Sequence, residues 1–389
     1  MQDYFADLHI HLGSTVSGNP VKITASRKMT IEAVIEEARL RKGLDMIGVI
    51  DCHVPEVLVQ LGNWVKDGLA LEKPDGGIQF GETTLILGTE LEVHDENCQG
   101  LIHVLCYLPT RETMIEFSRW LSERLKNITL STQRVYENAV VIQEKVRDLG
   151  GLFIPAHVFT PFKSLYGKGV ERSLKEVFDP GLIDAVELGL SANTLMASAL
   201  SELDRYLFVS NSDAHSVGKI AREYQKIRLM EPSFIELKAA LSESDGRGIS
   251  ANYGLDPHLG KYYRTACENC LRVVEGVGTV EGNCPDCGHA RMTKGVSVRI
   301  EEIRDQAQSI RKRPPYIHQV PLDFIPGLGP KTMLKLRGVF GSEMKILHDA
   351  TFEELSEVVG EKVARLIVKA RNGELNFHSG GGGRFGRVK

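Results

Sequence analysis

Seven short apolar runs divide the first 250 residues of the chain, and amphipathic stretches separate several of them. Apolar runs of this length that alternate with helical patterns indicate parallel strands covered by helices on both faces. We therefore predict an α/β fold, a (β/α) barrel, with functional residues at the carboxyl ends of its strands. The runs are YFADLHI (4–10), MIGVI (46–50), TLILG (84–88), LIHVLCY (101–107), GLFIPA (151–156), AVELG (185–189) and LFVSN (207–211).

The stretches between the runs carry helix signals. Thr30 is suited to cap the helix IEAVIEEARLRK, and Gly43 follows as its stop. Helical periodicity also covers about 111–126, 133–149 and 233–242. After Pro257 the pattern of alternating runs ends, which predicts further domains. The predicted units are a barrel (1–256), a cysteine module (257–298), a helical domain (299–378) and a flexible Gly-rich tail (379–389).

Histidine and acidic side chains recur at one end of nearly every predicted strand. Alternate residues of a strand share a face, so His9 with His11, and Asp213 with His215, can each aim at one point. Imidazole and carboxylate groups are ligands for divalent metals, and this set exceeds the needs of one tetrahedral ion. We predict two or three ions (Zn, Mn, Fe or Mg) bridged by Glu90 and Asp213, in a site that activates water against a phosphoester. The candidate ligands are His9, His11, Asp51, His53, Glu90, His103, His157, Asp213 and His215, of which Asp213, Glu90 and His215 are the candidate catalytic residues.

Six of these segments resemble the successive metal-binding motifs of the PHP (polymerase and histidinol phosphatase) family. They are DLHIH, IDCH, GTE, IHVL, PAHVF and SDAH, within about residues 1–255. The resemblance implies a distorted seven-stranded barrel with a multinuclear metal site for phosphoester hydrolysis. IDCH departs from the family, in which the aspartate and histidine are adjacent. Whether Asp51, His53 or both bind metal therefore stays open.

Two CxxC pairs, CENC and CPDC, lie thirteen residues apart in the region 257–298. This spacing predicts a zinc ribbon in which Cys267, Cys270, Cys284 and Cys287 hold one structural Zn²⁺. Four thiolates leave no open coordination position, so we expect this ion to stabilise the fold. The remaining cysteines, Cys52, Cys98 and Cys106, are predicted to be small buried hydrophobes.

The charge is unevenly distributed, with a net of −10 over residues 1–256 and +6 over 257–389. Within the basic part, DFIPGLGPKTMLKLRGVFGSEMKIL resembles a helix–hairpin–helix element. Gly327 and Gly329 would let the backbone approach a DNA phosphate, and Lys331 and Thr332 would add charge and a hydroxyl. A weaker second copy lies at 358–371. The alternative is a helical bundle that uses glycine-rich turns for protein contact.

Barrel, ribbon and hairpin tail in this order resemble the endonuclease Q family, and AHVFTPFKSLYG adds to the likeness. The resemblance implies cleavage of DNA on the 5′ side of deaminated bases (uracil, hypoxanthine, xanthine) and abasic sites. The partner would be duplex DNA, with single-stranded DNA and a sliding clamp as further candidates. A flipped base would enter a pocket beside the metals. Its candidate contacts are Phe159, Phe162, Tyr166, Ser191, Ala192 and Asn193, although the three aromatics would serve equally well as core residues.

Two other functions remain open from the sequence. A PHP-type phosphatase acting on small phosphomonoesters has no evident use for the ribbon and hairpin modules, and a decayed, non-catalytic DNA-binding barrel should have lost some ligands. No apolar run approaches the about 20 residues that cross a bilayer. The N-terminal MQDYFADLHIH shows no basic leader or apolar signal core. We therefore expect a cytoplasmic protein without a membrane partner.

Overall fold

The computed structural model describes residues 1–274, 283–307 and 309–375, and also 377, 378, 380, 382, 384 and 386–388. Each of the seven apolar runs contains a strand, and the α/β class is confirmed. The strands are β1 (Gln2–Ile10), β2 (Met46–Val49), β3 (Leu71–Glu72), β4 (Ile78–Phe80), β5 (Thr83–Val93), β6 (Ile102–Leu108), β7 (Arg134–Val135), β8 (Leu152–Pro155), β9 (Ala185–Glu187), β10 (Leu207–Val209), β11 (Tyr224–Leu229), β12 (Gly248–Gly254), β13 (Ala266–Cys267), β14 (Met292–Thr293), β15 (Tyr316–His318), β16 (Phe377–His378) and β17 (Arg387–Val388).

The helices follow the predicted stretches closely in the barrel. They are α1 (Ile31–Glu36), α2 (Pro55–Lys66), α3 (Arg111–Ser122), α4 (Ala139–Asp148), α5 (Thr194–Ala197), α6 (Phe234–Leu241), α7 (Val296–Ile303), α8 (Pro330–Phe340), α9 (Glu343–His348), α10 (Phe352–Val359) and α11 (Glu361–Arg371). Thr30 caps α1 by accepting from the Ala33 amide, and a π-helical turn extends α1 to Gly43, which has φ +78°. The helix expected over 133–149 begins later, because Asn138 caps it and β7 precedes it. Within the described ranges, no helix combines the length and apolarity needed to cross a membrane.

The strands form a closed circuit around the barrel. β1 pairs with β2, β2 with β5, β5 with β6 and β6 with β8. The Asp184 amide bonds to Phe153 O, which joins β8 to β9, and β9 pairs with β10. The segment after β10 returns to β1, where Ala214 exchanges backbone hydrogen bonds with His9 and His11. The circuit brings the ends of distant sequence segments to one site.

One strand departs from the parallel arrangement that the sequence led us to expect. β6 runs antiparallel to both β5 and β8, whereas β1, β2 and β5 are mutually parallel. The reversal explains the position of His103, which lies near the start of β6. Because β6 is inverted, its start lies at the end of the barrel where the parallel strands finish.

The four predicted cysteine ligands lie on two facing turns. β13 pairs with β14, and each CxxC turn closes with backbone hydrogen bonds, from Leu271 N to Cys267 O and from Gly288 N to Cys284 O. Sγ of Cys267 and Cys287, and Sγ of Cys270 and Cys284, are each 3.6 Å apart. Residues 275–282, between the two turns, lie outside the described residues.

The helical C-terminal part is attached firmly to the barrel. β15 adds to the barrel sheet in parallel with β12. The His348 ring of α9 stacks on Phe5 with 4.4 Å between ring centroids, and its Nε2 lies 2.8 Å from Tyr224 Oη. Lys42 and Glu343 form an almost buried ion pair at 2.8 Å. These contacts hold the hairpin elements in a fixed position relative to β1.

The basic stretch 299–313, at the start of the predicted helical domain, contributes its charge mainly to this attachment. Arg299 donates to the carbonyls of Tyr166, Val170 and Glu171. Arg313 donates to Tyr206 O and Leu203 O, and its guanidinium lies 3.5 Å from the centroid of the Phe208 ring. The excess of positive charge in residues 257–389 is therefore not all available to a partner.

Part of the tail predicted to be flexible also contacts the protein. β17 pairs antiparallel with β16, and the Gly380 and Gly386 amides donate to His258 O and Leu259 O. Residues 379, 381, 383, 385 and 389 of the predicted tail lie outside the described residues.

We predict that Glu223 makes stability pH-dependent. Its side chain is fully buried, Oε1 accepts from the Leu255 amide, and Oε2 has no partner in the described part of the chain. Burial raises its pKa from 4.5 to about 8. The folded state therefore keeps a proton that the unfolded state releases, so stability is full below pH 4.5 and falls as the pH rises to about 8.

Replacing Glu223 by glutamine removes this titration. Urea unfolding of the wild type should lose a few kcal/mol between about pH 5 and about pH 8.5 that Glu223→Gln retains. Glu144→Gln, at an exposed glutamate of α4, is the matched control and should keep the wild-type slope. Parallel pH profiles for wild type and Glu223→Gln would contradict this prediction.

Candidate active site

His9 and His11 lie at the end of β1 and are buried. His9 Nδ1 lies 3.0 Å from Glu187 Oε1, and His11 Nδ1 lies 3.2 Å from Asp51 Oδ2. Each carboxylate therefore fixes one ring nitrogen and turns the other, Nε2, toward the same space. Among the described residues neither Nε2 has a hydrogen-bond partner. A buried imidazole nitrogen without a partner, on a ring fixed by a carboxylate, is the usual arrangement of a metal ligand.

Glu90 lies at the centre of the site, and four histidines surround its carboxylate. Oε1 lies 2.9 Å from His103 Nδ1, 3.3 Å from His157 Nε2 and 3.7 Å from His9 Nε2. Oε2 lies 3.4 Å from His11 Nε2. The two oxygens of Glu90 thus face different histidines, Oε1 three of them and Oε2 the fourth, as expected for a bridging ligand.

Asp213 lies in the segment after β10, which flanks β1 on the side away from β2, and it approaches the same nitrogens from there. Its Oδ1 lies 3.4 Å from His9 Nε2 and 3.6 Å from His11 Nε2. The ring of His215 packs against that of His11 with 4.6 Å between centroids. Asp213 has φ +45° and His157 has φ +31°, both unfavourable for residues with a side chain. Backbone strain of this kind is common where side chains must meet at a functional point.

The structure separates Asp51 from His53, the pair that the IDCH motif left open. Asp51 Oδ2 accepts from the Leu12 amide at 2.6 Å and contacts His11, so Asp51 orients a histidine of the cluster. His53 Nδ1 lies 2.7 Å from Thr89 Oγ1, and its Nε2 lies 3.4 Å from Leu130 O. Both ring nitrogens of His53 face neighbouring protein groups, and in the described chain His53 is in no cluster of metal-ligating atoms.

The cluster is strongly coupled electrostatically. Burial would lower the pKa of His9, but Glu187 and Asp213 outweigh it and raise that pKa to about 10. Burial would raise the pKa of Glu90, but His103 and Lys22 hold it well below its usual value. Burial, together with the charge of His11, lowers the pKa of His215 to about 4. The site therefore keeps its carboxylates ionised and favours positive charge between them.

The side chains group into sets able to hold metal ions. In each set the ligand atoms lie within 4.8 Å of one another. The Nε2 atoms of His9 and His11, which have no hydrogen-bond partner among the described residues, fit this interpretation, because buried nitrogens need a partner. The sets are His9, His11 and Glu90; His11, Asp213 and His215; Glu90, His103 and His157; and the four cysteines Cys267, Cys270, Cys284 and Cys287.

A cavity of about 200 Å³ adjoins the cluster. The residues that line it include His157 and Asp213 of the cluster, and also Ser191, Arg222, Lys261 and Tyr262. Of the three residues predicted after the sixth strand, Ser191 lines this cavity. Ala192 is instead buried in the core.

The remaining predicted base contacts occupy three different environments. Asn193 caps α5 through Oδ1 and places Nδ2 3.2 Å from His318 Nε2. Phe159 and Tyr166 are buried and stack on each other at 5.3 Å, so they are core aromatics. Phe162 differs from them: it is 42% exposed and packs edge-on against Tyr262.

The predicted hairpin lies at the start of α8. Gly329 caps this helix, Gly327 has φ +93°, and Gly327, Gly329 and Lys331 are exposed. The first helix of the motif is only a 3₁₀ turn (Leu322–Phe324). Gly360, with φ +80°, joins α10 to α11 in the second predicted copy.

Comparison with known proteins identifies the family. No protein-family model matches the chain. The uncharacterized protein YqxK of Bacillus subtilis is 54% identical over 391 residues and matches over 100% of both chains. The crystal structure of the lesion-specific endonuclease PfuEndoQ of Pyrococcus furiosus is 32% identical, with a TM-score of 0.86, and the match covers 100% of this chain and 95% of that one. The chain belongs to the endonuclease Q family.

A second endonuclease Q structure holds a 27-mer duplex substrate with an abasic lesion at its active site. It is 31% identical to this chain, with a TM-score of 0.85, over 100% of this chain and 96% of that one. Both similarities extend through the barrel, the cysteine module and the helical part. The whole architecture therefore belongs to endonuclease Q.

The sequence did not reveal several residues of this endonuclease Q site. Glu187 is a charged residue inside the apolar run AVELG, and that was the available signal. Lys22 Nζ lies 3.0 Å from Glu90 Oε2 and also contacts Thr132. Lys22 follows no strand and stands in no motif, so nothing in the sequence connected it to Glu90. Arg222 and Lys261 come from segments that the motifs do not include.

We predict that Asp51 and His53 affect metal binding differently. Asp51→Asn leaves His11 without its carboxylate partner and should weaken binding of divalent ions at the barrel site about 10–100-fold. His53→Gln should mainly lower thermal stability and leave that affinity close to wild type. Equilibrium dialysis with Mn²⁺ followed by elemental analysis measures both variants. Equal loss of metal in the two variants would contradict the assignment.

Proposed function

We propose that the protein is a metal-dependent DNA-repair endonuclease. It would hydrolyse the phosphodiester bond on the 5′ side of deaminated bases (uracil, hypoxanthine, xanthine) and of abasic sites. The main support is one observation: the His/Asp/Glu cluster adjoins a cavity in a chain similar over its whole length to lesion-specific endonucleases. An abasic duplex occupies the active site of one relative.

Two or three divalent ions, drawn from Zn, Mn, Fe or Mg, would be held by His9, His11, Glu90, His103, His157, Asp213 and His215. When bound, such ions supply Lewis-acid activation of water and of the phosphoester. Glu90 and Asp213 would bridge between ions, supported by the distances of their oxygens to several histidines. One further zinc ion would be structural, held by the four cysteines.

Asp51 and Glu187 would act through the histidines that they contact. By accepting from Nδ1 they fix the rings of His11 and His9 and increase the basicity of Nε2. Lys22 would limit the movement of Glu90 and reduce the negative charge that an incoming phosphate meets. Its own ammonium is 3.0 Å from Glu90, which supports this role.

The lesion would be read outside the helix. A base that pairs poorly is the easiest to flip, and the cavity beside the cluster is large enough for a small ring system. Ser191 lines this cavity, and the exposed ring of Phe162 lies next to Tyr262 at its edge. We propose that Phe162 stacks on a base adjacent to the lesion.

The hairpins would bind the DNA backbone away from the lesion. Gly327 and Gly329 precede α8, whose free amides and dipole favour a phosphate, and Lys331 is exposed beside them. Contacts of this kind fix position without reading sequence. Binding of single-stranded DNA or a sliding clamp stays a prediction from the sequence.

The central prediction concerns a labelled duplex with one uracil or one abasic site. With Mn²⁺ the protein should nick it immediately 5′ of the lesion and leave an undamaged duplex intact. Asp213→Ala should reduce the rate by at least about 100-fold, because it removes a proposed bridging ligand. Asp148→Ala, at an exposed aspartate of α4, is the control and should cut normally.

The same experiment tests the alternative of a small-molecule phosphatase. If both lesion duplexes stay intact while a phosphomonoester is hydrolysed, the endonuclease assignment fails. Retention of the cysteine-bound zinc by Asp213→Ala would show that this variant is folded.

A further prediction addresses the hairpin. Lys331→Ala should weaken binding to lesion and undamaged duplexes by the same factor and lower the slope of log K against log salt by about 0.9. Lys66→Ala removes the same charge from α2, where it is exposed, and should leave the slope unchanged. Equal slopes for all three proteins, measured by fluorescence anisotropy, would rule out a phosphate contact by Lys331.

A further inference from the structure

The connection between the barrel and the zinc module forms part of the cavity beside the metal cluster. Lys261 and Tyr262 follow the 3₁₀ turn after β12 and line that cavity together with His157 and Asp213. Arg222, which donates to Ser212 O and Asp213 O, lines it as well. The start of the predicted cysteine module (257–298) thus contributes two side chains to the proposed base pocket.

The backbone around Lys261 is held on both sides. Asp256 caps the 3₁₀ turn Pro257–Leu259, and the Gly260 amide bonds to Pro257 O. A Cβ at Gly260 would lie 2.4 Å from Ser191 Oγ, so this backbone packs directly on the cavity wall. On the other side the Val296 amide of α7 donates to Tyr262 O. Lys261 therefore has a defined position rather than that of a mobile surface lysine.

Lys261 is a hydrogen-bond donor, and deamination of a base creates a hydrogen-bond acceptor. Deamination replaces the exocyclic amino group of cytosine or adenine, a donor, by a carbonyl oxygen, an acceptor. A lysine ammonium has three donors and no acceptor. It can bond to the carbonyl, whereas an amino group in its place would leave donors facing one another.

We propose that Lys261 distinguishes deaminated bases from cytosine and adenine by donating a hydrogen bond to the carbonyl oxygen that deamination creates. This inference rests on the proposed function and names the group that reads the base. Burial, with the charges of Arg222 and Lys219, lowers the pKa of Lys261, which is consistent with a partly desolvated ammonium. Thymine and guanine also carry a carbonyl at this position, so Lys261 alone would not reject them. Their stable pairing in the duplex has to keep them from flipping into the cavity.

An abasic site provides the discriminating test, because it has no base for Lys261 to contact. The Lys261→Met variant keeps the length of the side chain and removes its donors. Cleavage of a uracil duplex should fall about 10–100-fold, since one hydrogen bond to a charged group is lost. Cleavage of the matched abasic duplex should stay within a few-fold of wild type. The ratio of uracil to mismatched-cytosine cleavage should fall in parallel, and Lys261→Arg should restore most of it.

Lys219→Met is the matched control, since Lys219 is a nearby cation that is not among the residues lining the cavity. It should leave the ratio of uracil to abasic cleavage unchanged. Equal loss on both lesions with Lys261→Met would overturn the inference, because it would show general attraction of DNA. An unchanged uracil rate would overturn it as well. If the wild type cuts neither lesion, the proposed function itself has failed, which is a separate outcome.

Discussion

The carboxylate of Glu187, at the end of β9, joins three parts of the barrel. It accepts from His9 Nδ1 on β1, from the His157 amide after β8, and from Asn211 Nδ2 after β10. Burial would raise its pKa, but His9 outweighs burial and lowers it. A buried charge is tolerable only with such partners. The ring positions of His9 and the backbone of His157, and through them the metal-ligating sets, depend on this interaction.

Gly189, two residues after Glu187, shows how closely the end of β9 is packed. Gly189 has φ +78°, and a Cβ there would lie 2.8 Å from His157 Cβ. His157, whose backbone is strained, therefore packs against Gly189 at a distance that leaves no room for a side chain there. At this end of the barrel, the same few short segments carry the candidate metal ligands, the carboxylates that contact them and the residues that line the cavity. Lys261, which also lines the cavity, lies in the segment that leads to the cysteine module.

Much of the fold and of the metal-ligating set could be predicted from the sequence, because the signals for them lie within single short segments. A strand end followed by His-x-His or Asp-x-His is visible in one short segment, as are Thr30 with Gly43 and the two CxxC turns. Residues that act across the fold were not visible. Glu187 and Lys22 gain their roles from His9 and Glu90, which are 178 and 68 residues away in the sequence. Lys261 gains its role from cavity residues of other elements. For Phe159 and Tyr166 the sequence left two interpretations open, base contact and core residue, and the structure places both rings in the core. An aromatic residue near a site gives the same sequence signal whether it is buried or exposed, because burial depends on the whole fold.

The account depends on metals bound at the cluster around Glu90. The most direct measurement is anomalous X-ray scattering at the manganese edge, from crystals grown with Mn²⁺ and an abasic duplex. We predict peaks between Glu90, Asp213 and the Nε2 atoms of His9 and His11, beside the phosphate on the 5′ side of the lesion. Scattering confined to the four-cysteine site, with none around Glu90, would contradict the account.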